Sequence, residues 1–180
     1  MRPMNHAGAV PELAGPADLP DLVVTCAAAF SDDPMIRWPM PDATPAMLQE
    51  LFRVILTPYL EFGVLWKIHG CDGGAAWLPP GVTGRFDEIE QSARAAINPL
   101  TGDGGARYAA FWDWLGAHLP REPCWFLDLV AVAPAAQGQG LTGHWLRTAW
   151  IRPGPREAPP SWKPAPCATC RTISPSASRS

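Results

Sequence analysis

The sequence predicts an α/β fold, in which short apolar strands alternate with amphipathic helices. The apolar run 126–132 has the length and composition of a buried strand, and Pro134 ends it. Upstream, residues 64–69 and 73–78 predict an antiparallel hairpin that turns around Cys71, Asp72 and Gly73. Apolar residues at helical spacing on either side of this hairpin predict helices that pack on the sheet.

The other elements follow in chain order. A short strand is predicted at residues 9–13 and a helix at 17–30. Thr44 can cap a second helix, and two further helices are predicted at 86–97 and 106–119. The second helix has one apolar face, formed by Met47, Leu48, Leu51, Phe52, Ile55 and Leu56.

Composition predicts one domain and a tail. With 180 residues and 47% hydrophobic content, the chain can bury a core of its own. Residues 152–180 are dense in Pro and Ser and have neither helical nor strand periodicity, so we expect them to be disordered. The predicted organisation is a domain over 1–151 that lacks its final strands, followed by a tail over 152–180.

The charge of the predicted domain bears on its partners. Residues 1–151 hold nine Lys and Arg against sixteen Asp and Glu, which argues against nucleic acid and favours a cationic amine as substrate. Apolar stretches are broken by charge or Pro well short of a membrane span, and the start lacks a hydrophobic signal region. A cytoplasmic location without membrane association is therefore expected.

A glycine-rich turn follows the strand at 126–132. Its sequence Q-G-Q-G-L-T-G, residues 137–143, precedes residues that resume helical spacing. Glycine lets a ligand approach the backbone closely, and unpaired amides at a helix start attract phosphate. The turn lacks the Lys-Ser/Thr pair of an ATP P-loop, and no second strand ending in an acid follows to complete a dinucleotide site. The interpretation that remains is a cradle for a pyrophosphate.

The pattern Q-x-x-G-x-G/A after a strand resembles the acetyl-CoA motif of the GNAT N-acetyltransferases. The segments AAAFSDDPMIRW at 27–38, GGAAWLPPG at 73–81 and EPCWFL at 122–127 extend the resemblance, which is greatest to the puromycin N-acetyltransferase group. It implies the GNAT acyl-CoA N-acyltransferase fold, with a mixed, largely antiparallel central sheet flanked by helices. It also implies direct transfer of acetyl from acetyl-CoA, as co-substrate, to an amine of a small molecule.

The same resemblance implies a cofactor site. The strand at Val130, Ala131 and Val132 would hydrogen-bond the pantetheine arm through its backbone, while the turn holds the pyrophosphate. A plain core strand with a glycine turn is the alternative. The predicted cofactor-binding residues of the turn are Gln137, Gly138, Gln139, Gly140, Leu141, Thr142 and Gly143.

Asp128 is the candidate catalytic base, because it interrupts an apolar strand where partial burial would raise its pKa. The alternative is an Asp on a solvated strand face. Asp32 and Asp33 are candidates to line the amine pocket, although Asp-Asp-Pro is also an ordinary helix exit. Trp112 is a candidate to contact a substrate ring, although aromatic residues at helical spacing more often belong to the core.

The tail departs from the GNAT pattern, which continues with strands that contain a stretch like L-E-A-S-x-x-x-N-x-x-F-Y-x-x-x-G-F. When the codons of the tail are regrouped one base earlier, the Trp162–Lys163 overlap must encode Glu, and Leu is allowed before it. The shifted frame can then read L-E-A-S-T-L-R-N-L-P-Y-Y-x-x-F-G-F. The hypothesis is a one-base slip near 147–156, which leaves the final strands and the family's Tyr general acid missing. A genuine Pro-rich tail is the alternative.

Two functional classes remain open: an N-acetyltransferase that acts as a monomer or homodimer, and a catalytically impaired remnant that at most binds CoA. No metal site is predicted, because the C-x-x-C pair Cys167 and Cys170 lacks a second pair.

Overall fold

The computed structural model describes residues 10–61, 64–78, 91, 93–118 and 125–143. The strands in this part of the chain are β1 (Glu12–Leu13), β2 (Leu65–Ile68), β3 (Gly73–Leu78) and β4 (Phe126–Val132). The helices are α1 (Leu19–Ala29), α2 (Pro34–Arg37), α3 (Pro45–Glu61) and α4 (Ala106–His118), and residues 93–97 are also helical. Short 3-10 turns lie at Pro16–Asp18, Asn98–Leu100 and Pro134–Ala136.

Helix starts follow from local side-chain chemistry. The hydroxyl of Thr44 accepts a hydrogen bond from the amide of Met47 at 3.3 Å, which confirms the predicted cap of α3. Asp33 caps α2 in the same way, accepting from the amide of Met35 at 2.7 Å, with Pro34 at the first helical position. Both caps supply acceptors for amides that have no partner inside their helix.

The described strands form one antiparallel sheet in the order β1-β2-β3-β4. Within β2 and β3, Leu65 pairs with Ala76 and Ile68 pairs with Gly73. The hairpin is thus the predicted one, although its turn covers residues 69–72 rather than 71–73. The observed α/β architecture, an antiparallel sheet flanked by helices, confirms the predicted fold class.

The main core lies between the sheet and the pair α1 and α3. Leu22, Phe52, Leu56 and Leu65 are each at most 1% exposed there. A smaller cluster covers the opposite face of the sheet, where Ile68, Ala75, Ala136 and Leu141 are buried together. Because Ala136 and Leu141 belong to the chain that follows β4, this second cluster ties the glycine-rich turn to the sheet.

Several predictions concern residues outside the described part of the chain. These are most of the helix at 86–97, the tail at 152–180, its Cys167–Cys170 pair and any strand after residue 143. Across the described residues, no helix combines the length and apolar character needed to cross a membrane. In the same residues, no group of three or more His, Cys, Asp or Glu side chains is arranged to hold a metal ion.

Candidate functional site

The strand β4 contains a β-bulge at the candidate base. Ala76 of β3 pairs with Leu129, whereas the next residue, Trp77, pairs with Leu127. Asp128 is therefore the extra residue that has no partner of its own on β3. A bulge interrupts the alternation of a strand and redirects a side chain, so this position has a geometry that a regular strand cannot offer.

The bulge places Asp128 on the face of the sheet that α1 and α3 cover. Phe126 and Leu129 both pack in the main core, although they are three positions apart and strict alternation would put them on opposite faces. Leu127 and Val130 lie in the cluster on the other face. With one residue added between them, Asp128 joins Leu129 on the helix-covered side.

On that face Asp128 meets Tyr59 from the last turn of α3. The hydroxyl of Tyr59 donates a hydrogen bond of 2.5 Å to Oδ2 of Asp128. The Tyr59 ring is 3% exposed, while Asp128 itself is only partly buried. The carboxylate therefore has a buried partner on the helix-covered face, and its role as the catalytic base stays a prediction.

The protein environment raises the pKa of both Asp128 and Tyr59. Burial raises the pKa of Asp128, and the hydrogen bond from Tyr59 offsets part of this rise because it stabilises the carboxylate. Burial, with the nearby Asp128 charge as a smaller cause, also raises the pKa of Tyr59. Asp128 therefore holds its proton more firmly than an ordinary Asp, and Tyr59 stays a hydrogen-bond donor at neutral pH.

The free edge of β4 presents two of the three residues expected to bind pantetheine. The amide of Ala133 donates to the carbonyl of Asp72 at 2.8 Å, which fixes the phase of the β3–β4 ladder. In an antiparallel pair, alternate residues turn their backbone groups toward the partner strand. Ala131 therefore faces β3, while the backbone groups of Val130 and Val132 face the edge that no described strand covers.

The glycine-rich turn bends through two left-handed residues. Gly138 and Gly140 have φ values of +75° and +76°, a region that other L-residues rarely adopt. A side chain at either position would meet open space, so the backbone here is accessible to a ligand. Side-chain amides brace the turn, since Gln137 donates to the carbonyl of Val132 and Gln139 to that of Ala135, each at 3.1 Å.

A cavity of about 300 Å³ lies against this turn. Within the part of the chain that the structure describes, the backbone amides of Gly138, Gln139 and Gly140 donate to no acceptor. Such amides are suited to an anion. Val130, Ala131 and Gln139 do not line the cavity; its lining is Val132, Ala136, Gln137, Gly138, Gly140, Leu141, Thr142 and Gly143.

Comparison with known proteins bears on the fold. No protein-family profile matches the sequence. The structure is similar to one from Corynebacterium glutamicum that is described as histone acetyltransferase HPA2 and related acetyltransferase. The TM-score is 0.54 at 24% sequence identity, over 80% of this chain and 71% of that one. The chain has the GNAT acetyltransferase fold. Within this fold β4 carries the bulged carboxylate, and the glycine-rich turn follows the strand.

The predicted amine-pocket residues of this GNAT fold, Asp32 and Asp33, lie in the loop between α1 and α2. Asp33 caps the start of α2, and Asp32 is exposed in the turn between α1 and α2. Arg37 braces the same loop by donating to the carbonyls of Ser31 at 2.5 Å and Ala43 at 3.0 Å. None of the hydrogen bonds found among the described residues joins this loop to Asp128, so a role in substrate binding stays a prediction.

Trp112 lies on α4 and packs against the main core, with ring centroids 5.9 Å from Tyr108 and 5.5 Å from Phe111. This is the core role that aromatic spacing predicts, and a contact with substrate stays a prediction. Tyr59 is the residue that sequence reasoning missed. It continues the apolar face of α3 and looks like a core residue, and only the tertiary structure brings it to Asp128, 69 positions away.

Proposed function

We propose that this protein is an acetyl-CoA-dependent N-acetyltransferase that acetylates an amine by direct transfer. The observation that carries the proposal is that one strand holds both parts of the chemistry: a partly buried carboxylate at its bulge and an anion-suited glycine turn beyond its end. The GNAT fold supports the reaction class.

The spacing along β4 fits the co-substrate. From Asp128 to Val132 the strand advances about 13 Å at about 3.3 Å per residue. An extended pantetheine arm would have to span this stretch and the further distance to the glycine-rich turn. With the pyrophosphate at Gly138 and Gly140, the arm would run along the edge groups of Val130 and Val132 and bring the thioester towards Asp128.

The residues then have separate tasks. Acetyl-CoA supplies an acetyl thioester that an unprotonated amine can attack. Asp128 takes the proton from the incoming amine, and its raised pKa suits this task because a stronger base removes a proton more readily. The backbone of β4 and the turn hold the acyl group in line with the amine, so that positioning lowers the barrier. The thiolate that leaves requires a proton, from solvent or from a residue beyond those described.

The acceptor that we propose is a small-molecule amine. The acidic balance of residues 1–151 favours a cationic substrate, and the resemblance of 27–38 and 122–127 to puromycin N-acetyltransferases points to a small molecule. The structure from Corynebacterium glutamicum is described as a histone acetyltransferase, so a lysine side chain is the competing acceptor to test. A cytoplasmic site of action and a monomer or homodimer are part of the same proposal.

The test is acetyl transfer by the purified full-length chain, followed as CoA release and as mass gain of the acceptor. The acceptors are a panel of small primary amines, puromycin included, and a lysine-containing histone peptide. Asp128→Asn is expected to lower kcat by about 10²- to 10⁴-fold with little change in the KM for acetyl-CoA. Asp21→Asn, which removes an exposed carboxylate on α1, is the matched control and should be as active as wild type.

Each outcome decides between the two functional classes. Acetyl transfer that depends on Asp128 supports the proposal. Binding of acetyl-CoA by calorimetry without transfer to any amine would favour the impaired remnant that only binds CoA. Absence of both binding and transfer would overturn the proposed function.

A further inference from the structure

The hydrogen bond between Tyr59 and Asp128 gives the two carboxylate oxygens different environments. Oδ2 accepts the Tyr59 hydroxyl at 2.5 Å, so it is committed to a buried partner. Oδ1 has no such bond among the described residues, and the side chain as a whole is partly exposed. Since a base needs an oxygen that is not committed to another partner, Oδ1 is the oxygen left to meet a substrate.

Backbone hydrogen bonds fix the position of Tyr59 relative to the bulge. The carbonyl of Tyr59 accepts from the amide of Val64 at 3.0 Å, and the carbonyl of Val64 accepts from the amide of Trp77 at 3.2 Å. Trp77 is the residue of β3 at which the register with β4 shifts, and it pairs with Leu127. A continuous set of hydrogen bonds thus joins the end of α3 to the strand position beside Asp128.

Pro58 contributes to the same geometry. It lies inside α3 immediately before Tyr59, and proline has no amide hydrogen to bond the preceding turn. The last turn of α3 therefore departs from regular helical bonding at the residue before Tyr59, and the Val64 amide secures it on the other side.

We propose that Tyr59 is the positioning residue of the catalytic base: its hydroxyl holds Oδ2 of Asp128 so that Oδ1 is presented to the substrate amine. The proposal rests on the proposed function and adds a residue to it. Tyr59 is too buried to touch a substrate, so it acts through Asp128. The titratable side chains that act on the pair, among the described residues, are those of Tyr59 on α3 and Tyr108 on α4.

The sign of the electrostatic effect follows from the same contact. Burial raises the pKa of Asp128, and the Tyr59 hydroxyl lowers it again because it bonds the ionised form. Without the hydroxyl, the pKa of Asp128 rises further. More of the base is then protonated, and therefore inactive, at a given pH below the optimum.

The experiment compares Tyr59→Phe with wild type and with Thr57→Val. The Phe variant keeps the buried ring and removes the hydroxyl, whereas Thr57→Val removes a hydroxyl from the same helix that does not reach Asp128. We expect Tyr59→Phe to lower kcat about 10- to 100-fold at the pH optimum, with the KM for acetyl-CoA unchanged. Its acid limb of kcat against pH should move to higher pH, while Thr57→Val should keep the wild-type profile.

A second readout does not depend on turnover. The carboxyl carbon of Asp128 is assigned by comparison with Asp128→Asn, and its titration is followed by ¹³C NMR in wild type and in Tyr59→Phe. We expect a higher pKa of Asp128 in the Phe variant. This measurement also applies if Tyr59→Phe is too unstable for reliable kinetics, because it can be made at low temperature.

The outcomes separate this proposal from the proposed function. Unchanged kinetics and an unchanged Asp128 titration in Tyr59→Phe, with an active wild type that depends on Asp128, would overturn the positioning role alone. Full activity of Asp128→Asn would remove the base and with it the role of Tyr59, while acetyl transfer itself would stand. A wild type that transfers no acetyl group would overturn both.

Discussion

The hydroxyl of Thr25 donates a hydrogen bond of 2.7 Å to the carbonyl of Cys71 and so joins α1 to the turn between β2 and β3. The turn is unusual, because His69 and Cys71 have φ values of +51° and +75° without being glycine. The backbone carbonyl of the next residue, Asp72, accepts a hydrogen bond from the amide of Ala133 at 2.8 Å. One helix residue thus supports a strained turn that in turn holds the chain between β4 and the glycine-rich turn.

Replacing Thr25 by Val tests this support. The change keeps the shape of the side chain but leaves the Cys71 carbonyl without its donor in a buried place, since Thr25 is 8% exposed. The free energy of unfolding should fall by about 1–3 kcal/mol. Chemical denaturation measures the loss. Thr57→Val is the control, because its hydroxyl bonds within an exposed helical turn, and a loss as large there would argue against the buried bond as the cause.

The two glycines that begin β3 should not tolerate a side chain. A Cβ on Gly73 would lie 2.8 Å from Cγ2 of Ile68, and one on Gly74 would lie 2.9 Å from Cδ2 of Leu22. Alanine at either site should lower the free energy of unfolding by about 1–3 kcal/mol, because both neighbours are core residues. Gly116→Ala on α4 meets no atom within 4 Å and should stabilise by about 0.5–1 kcal/mol. In thermal denaturation, alanine at Gly73 or Gly74 should lower the melting temperature, whereas Gly116→Ala should raise it.

Alanine at Gly138 or Gly140 separates binding from stability. The positive φ of both residues disfavours alanine by about 1–2 kcal/mol, and the added methyl group would lie on the backbone surface offered to the anion. We expect the Kd for acetyl-CoA, measured by calorimetry, to rise roughly tenfold or more in a protein that remains folded. Wild-type affinity in both variants would contradict the assignment of this turn to the pyrophosphate.

Stability should depend on pH through Asp128. Because burial raises its pKa in the folded state, the protonated folded form is favoured at low pH, and this contribution is lost as pH rises from about 4 through the raised folded pKa. Asn at this position is neutral throughout and can still accept from Tyr59. In thermal denaturation between pH 4 and pH 8, the melting temperature of Asp128→Asn should rise relative to that of wild type as the pH increases. Parallel curves would mean that the carboxylate ionises as easily in the folded chain as in the unfolded one.

A one-base slip would be visible in the source DNA and in the mass of the protein. Resequencing the source DNA across the codons for residues 146–162 should show one base more or fewer than this reading implies. The intact mass of the protein from its native cells should then match the shifted frame, which supplies L-E-A-S and a Tyr-bearing end. A confirmed DNA sequence together with the mass of this chain would establish the Pro-rich tail.

Much of the fold could be predicted because the signals are local. The strand at 126–132 has the predicted bounds, the hairpin strands agree within about a residue, and α3 begins directly after the predicted cap Thr44. Each depends on neighbouring residues: an apolar run ended by Pro134, Gly residues around a turn, or a hydroxyl before a helix. The first strand is the exception, since β1 covers only Glu12–Leu13 of the predicted 9–13, and residue 9 lies outside the described part.

The site was less accessible to sequence reasoning because its decisive contacts are non-local. Asp128 is noticeable as a charge in an apolar strand, but whether it faces solvent or core depends on the bulge, and the bulge is defined only by pairing with Ala76 and Trp77. Tyr59 follows a proline near the end of an amphipathic helix and carries no signal of a polar partner. The glycine turn was predictable, because its conformation depends on its own residues.

The order of the strands has a consequence for how the molecule assembles. β2 and β3 are joined by a short turn, whereas β4 must find β3 across the connection 79–125, and such distant pairings form slowly because more chain entropy is lost before contact. Asp128 lies in β4, and the glycine-rich turn follows that strand. The candidate site therefore forms only with this slow, non-local pairing. A ligand that binds there is expected chiefly to lower the unfolding rate, so that the native state lasts longer while the folding rate is unchanged.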